Sequence, residues 1–133
     1  MALYQASNGA EATAKGKSFS FGNQYYPLIC SCYLTNDAKT LIAESIYLDK
    51  PIGKGKGTSV TASDIGVVEV RGSNGTTDRF TSPSTQLNFT FLVSGSNSVY
   101  LASMTKKDGT AFSFTTNTAA NLAIYGITLT IPS

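Results

Sequence analysis

The feature that most constrains this chain is a period of two. Ser18-Phe19-Ser20-Phe21 alternates polar and aromatic residues. Asn88-Phe89-Thr90-Phe91, Phe112-Ser113-Phe114-Thr115 and Ile127-Thr128-Leu129-Thr130-Ile131 repeat the pattern. Successive side chains of a β-strand point to opposite faces, so each of these segments buries one face and wets the other. Alternation of this kind favours antiparallel sheets over parallel sheets covered on both sides.

The pattern predicts strands at 17–22, 25–35, 40–48, 58–62, 66–71, 86–93, 98–105, 110–116 and 121–131. Lys106-Lys107-Asp108-Gly109 predicts a hairpin turn in which Gly109 takes the positive φ that such turns need. Residues 73–85, opened by Asn74-Gly75 and containing Pro83, form the longest predicted loop. Residues 37–50 carry two signals. Their Ala, Leu, Lys and Glu content suits a helix, with Asn36 as N-cap and Pro51 beyond its end. Their apolar residues form no single stripe, which favours a strand. Eight or nine short strands with polar turns predict an all-β fold, an antiparallel β-sandwich of jelly-roll-like form, with a closed barrel as the second choice. A length of 133 residues suits one domain. It is expected over 17–133, preceded by an N-terminal arm at 1–16 that is either flexible or ordered only against a partner chain.

Composition narrows the chemistry. The chain has no His, which excludes Ser-His-Asp and Cys-His nucleophile systems and His-ligated metal sites within it. It also removes the usual side chain for acid–base work near neutral pH. No enzymatic activity and no cofactor is expected. Ten Lys and Arg against eight Asp and Glu give a net charge of +2, which argues against a dedicated nucleic-acid binder. No run approaches the ~18 apolar residues of a membrane helix, so no membrane insertion is expected. The first residues, Met1-Ala2-Leu3-Tyr4, show no basic then apolar leader, and synthesis in a cytosol is expected.

Four sets of residues are weighed as sites. Cys30 and Cys32 share a strand face with Leu28 and Leu34. They are poorly placed to bridge each other and read as buried thiols. Gly53-Lys54-Gly55-Lys56-Gly57-Thr58 is a glycine-rich loop but not a Walker motif. With Lys50, its Lys54 and Lys56 are candidate contacts for an anion or a partner chain. The eight carboxylates are spread singly. Phe19, Phe21, Phe89, Phe91, Phe112 and Phe114 fall on alternating positions and are assigned to the core. Tyr25, Tyr26, Tyr47, Tyr100 and Tyr125 are candidate ligand or interface aromatics, with Tyr33 beside them in the same class.

Ser, Thr, Asn and Gly make up 53 of the 133 residues. Charged residues are 14%, against about 25% in a typical soluble domain. In this weakly charged, Ser/Thr/Asn/Gly-rich composition, on an all-β chain without a leader, the protein resembles accessory virion proteins of bacteriophages: decoration proteins, head fibres and tail-fibre tips. The resemblance is compositional and spans the whole chain. It implies a non-enzymatic protein of the virion, made in the host cytoplasm, that works by protein–protein assembly and by host-surface recognition. The implied partners are further copies of the chain, a trimer first, other virion proteins and a cell-surface glycan. A carbohydrate-binding module is the alternative, with the loops at 53–58 and 73–85 as ligand contacts.

Overall fold

The computed structural model describes residues 2–5, 11–15, 18–47, 51–114 and 118–132, with backbone only for 2–5, 11–15, 44 and 45. The described residues form twelve short strands: β1 (Ala2–Gln5), β2 (Glu11–Lys15), β3 (Ser18–Phe21), β4 (Leu28–Leu34), β5 (Leu41–Tyr47), β6 (Ser59–Ser63), β7 (Val67–Gly72), β8 (Thr77–Phe80), β9 (Leu87–Gly95), β10 (Ser98–Lys106), β11 (Ala119–Tyr125) and β12 (Ile127–Thr130). A single helical turn, α1 (Pro83–Gln86), precedes β9. All pairings are antiparallel, and the protein is an all-β fold of the sandwich or barrel-like kind.

The alternation seen in the sequence does what it predicts. In β4, Leu28, Cys30, Cys32 and Leu34 are buried while Ile29, Ser31 and Tyr33 are exposed. In β12, Ile127 and Leu129 enter the core. Their neighbours Thr128 and Thr130 face outward and meet Ser20 and Ser18 of β3 in hydroxyl pairs of 2.9 and 3.0 Å. The chain thus satisfies its wet face with small hydroxyl side chains rather than with charge.

Strand order explains how the sheet closes on a core. The hydrogen-bonded neighbours run β12-β6-β9-β10-β5-β4-β11. β11 and β12 are two halves of one segment, interrupted only at Gly126. The circuit therefore begins and ends on the same stretch of chain. β4 and β6 are its corners. Leu28 to Ser31 pair with β11 while Cys32 to Leu34 pair with β5. Ser59 and Val60 pair with β9 while Thr61 to Ser63 pair with β12. The enclosed core includes Phe21, Leu41, Phe91, Leu101, Met104 and Leu122. Beyond the circuit, β2 continues the sheet from β3 and β1 from β2, while β7 and β8 extend it from β11.

The choice between helix and strand over 37–50 falls to the favoured strand, and three other expectations are corrected. Residues 37–50 hold no helix among their described members. Asp37 accepts hydrogen bonds from the Thr35 hydroxyl (2.7 Å) and the Lys39 amide (3.0 Å), and Ala38 takes φ +58. That turn leads directly into extended β5. Residues 110–114 are not strand, and 115–117 lie outside the described residues. Phe112 and Phe114 are buried, but as plugs: the Phe112 amide donates to the Ala38 carbonyl, and its ring meets Phe80 edge-on at 6.0 Å. The predicted loop at 73–85 contains β8 and α1. The predicted strand at 121–131 is broken by Gly126, whose φ is +93.

Candidate binding surfaces

Three surfaces and one cleft bear on function. The first surface is the outer face of β4, β5, β10 and β9. Strand alternation places Ile29 and Tyr33 of β4, Ile42 of β5, Tyr100 of β10 and Leu92 of β9 on it, and the register shift between Ala43 and Ile46 of β5 brings Tyr47 to the same face. Tyr33 sits opposite Ile42, and Tyr100 opposite Leu92. Tyr33 and Tyr47 are 52% and 50% exposed and Ile29 is 38% exposed, while Tyr100 is half-buried. Before Lys106 at the end of β10, the only charged residue in these four strands is Glu44, whose side chain is not among those described. Nearby in sequence, Tyr25 and Tyr26 are exposed on the β3–β4 connection. Asn23 fixes them there, since its Oδ1 accepts the amides of both Tyr25 (2.8 Å) and Tyr26 (2.9 Å).

The second surface is the glycine-lysine loop. It is tied down at both ends, by the Ile52 amide to the Ser96 carbonyl (2.7 Å) and by the Gly57 amide to the Val93 carbonyl (2.8 Å). Lys56 is exposed and Lys54 half-buried. Lys50 lies outside the described residues. No described contact joins this loop to the tyrosines.

The third surface was not singled out in the sequence. On the outer face of β7, Glu69 stands opposite Ala123 of β11 and Arg79 of β8. Its Oε1 accepts from Arg71 Nη2 (3.0 Å) and Nε (3.3 Å), and from the Tyr125 hydroxyl (3.3 Å). Its Oε2 accepts from Arg79 Nη1 (2.7 Å). Arg71 Nη2 also donates to the Tyr125 hydroxyl (3.0 Å). The Glu69 side chain is only 11% exposed. Burial raises its pKa, but the hydrogen bonds from Arg71 and Tyr125 and the two guanidinium charges outweigh that and hold it below the usual carboxylate range. Tyr125 is therefore committed to an ion-pair ladder. The Glu69-x-Arg71 spacing was visible on a predicted strand, but Arg79 fell in a predicted loop.

The cleft opens where β6 leaves β9. Their pairing covers only Ser59–Leu92 and Val60–Phe91. Beyond it, Thr61 to Ser63 pair with β12, and residues 87–90 pair with β10. Each strand then turns toward the other an edge with no strand partner among the described residues. The space between is about 380 Å³. Val60, Leu87 and Phe89 form an apolar part of its lining, and Asp64, Asn88 and Lys107 a polar part. Phe89 is stacked on Phe91 at 6.2 Å and 13°. Asp64 has a left-handed backbone, φ +52.

The cysteines are both free and buried. Burial pushes the Cys32 thiol up to about 11, so it is a poor nucleophile near neutral pH. Comparison of the chain with protein-family models, with curated proteins and with solved structures finds no match in any of the three.

Proposed function

We propose that this protein is a non-enzymatic assembly protein, an accessory virion component that works by packing against copies of itself and against other virion proteins. The observation that carries this is the outer face of β4, β5, β10 and β9. Interfaces are enriched in Tyr and depleted in charge at their centre, and this face has both properties. Covering it desolvates mainly hydroxyl and aromatic groups, since Glu44 is the one charged residue of these strands before Lys106, so the cost of burial is small. Exposed tyrosines offer large rigid contact area with little rotamer entropy to lose.

Sedimentation velocity across a concentration series tests the proposal. A concentration-dependent oligomer is expected, a trimer first, and Tyr33→Ser with Tyr47→Ser should shift it toward monomer by at least tenfold in concentration, or about 1.4 kcal/mol. A strictly monomeric species at high concentration that also fails to associate with virus particles would overturn it.

A further inference from the structure

We propose that the cleft between β6 and β9 binds a neutral pyranose sugar, a site independent of the assembly face. The cleft and a pyranose match in their chemistry. A pyranose has an apolar C–H face and a rim of hydroxyls, each both donor and acceptor. The cleft presents an apolar side in the partly buried Ala62, Ile65 and Phe89. It also presents Asp64, which only accepts, Lys107, which only donates, and Asn88, which does both. A cationic ligand would meet Lys107 and an anionic one Asp64, whereas a neutral polyol uses both. The strand edges on either wall add main-chain donors and acceptors, the usual means of fixing a ligand's orientation in a mostly apolar pocket.

Asp64 is the telling residue. The other Asp side chains among the described residues each accept a hydrogen bond inside the chain: Asp37 from Thr35 and Lys39, Asp78 from Ser113, Asp108 from Thr110. The Asp64 carboxylate has no hydrogen bond or ion pair to a described residue, yet its backbone is held in the left-handed region beside the cleft. Asp tolerates a left-handed backbone better than most residues, and here it leaves an exposed carboxylate at the cleft open to a ligand. Lys107 is positioned for the same task, because its Nζ donates one hydrogen bond to the Ser84 carbonyl and keeps two N–H groups. The neighbouring depression along Phe80 and Gln86 lacks this property, since its Asp108 is spent on Thr110.

The test is a titration of isotope-labelled protein with glucose, galactose, mannose, N-acetylglucosamine and their disaccharides, followed by amide shifts. At least one sugar should saturate the amides of residues 61–65 and 87–89. Asp64→Asn should weaken it about tenfold, the scale of one charge-assisted hydrogen bond. Asp64→Gly should bind as poorly while unfolding at an equal or higher temperature, because glycine accepts the left-handed backbone freely. Lys54→Ala should bind like the parent chain. No response from any sugar up to about 100 mM, a response confined to amides elsewhere, or unchanged affinity in Asp64→Asn would each overturn the proposal. An extended peptide gripping the strand edges alone would give the last of these.

Discussion

Gly66 and Gly126 stand at one bend of the molecule and do different jobs there. The Gly66 amide donates to the Gly126 carbonyl at 2.9 Å, joining the turn between β6 and β7 to the bend between β11 and β12. Gly126 is needed for its backbone, at φ +93, and a Cβ there would meet only ordinary contacts at 3.9 Å. Gly66 is needed for space, because a Cβ on it would overlap the Tyr125 carbonyl oxygen. Gly126→Ala should therefore cost about 1–2 kcal/mol, the usual penalty for a left-handed non-glycine residue. Gly66→Ala must move backbone and should cost more than about 3 kcal/mol. Urea denaturation of the two variants ranks them, and an equal or reversed order would contradict this account of the bend. Nothing in the sequence separates the two glycines. Gly66 opens one predicted strand and Gly126 lies inside another, and only the bend itself shows which one lacks room.

Single elements were legible where one face met the core and the other met water. β4 and β12 follow the period of two residue by residue. The period misled at 110–114, because Phe112 and Phe114 alternate for another reason: they plug the core from a loop, and two buried rings two residues apart look like a strand. It was silent at β8, whose four residues, Thr77-Asp78-Arg79-Phe80, bury one apolar side chain. β8 nonetheless supplies half of the ion-pair ladder, and this gives the ladder a pH signature. Glu69 is held below its ordinary value in the folded state. In the unfolded chain a glutamate titrates near ~4.3. The unfolded state therefore takes up the proton first as pH falls. The stabilisation is complete above the unfolded value and is lost as pH drops through the folded one. Glu69→Gln should lower stability at pH 7 and lose less than the parent chain on going from about pH 5 to about pH 3. Parallel acid limbs in denaturation experiments on the two proteins would show that the ladder contributes nothing beyond geometry. The cleft was illegible for a related reason. Asp64 and Phe89 are far apart in sequence, and only the divergence of β6 from β9 brings them to one space.

At the scale of the whole molecule, charge and aromatic surface are segregated. The arginines of the ladder lie on the outer face of β7 and β8, and the lysines Lys54 and Lys56 lie on the loop before β6. Between β4 and β9 the described side chains of the outer face are tyrosines, aliphatics and hydroxyls. If assembly uses that face, its free energy comes from burying apolar and aromatic area, which is indifferent to screening. If it used the glycine-lysine loop, it would depend on Coulombic attraction that fades once the Debye length shrinks below the contact spacing. Raising NaCl from about 50 mM to about 500 mM shortens that length from roughly 14 Å to 4 Å. The oligomer expected from the tyrosine face should survive this change with its dissociation constant moved less than about threefold, and ammonium sulfate should tighten it. Sedimentation velocity at the two salt concentrations reads the outcome directly. Dissociation at the higher salt, of an oligomer that Tyr33→Ser leaves intact at low salt and that Lys54→Ala with Lys56→Ala abolishes, would move the interface from the sheet face to the loop.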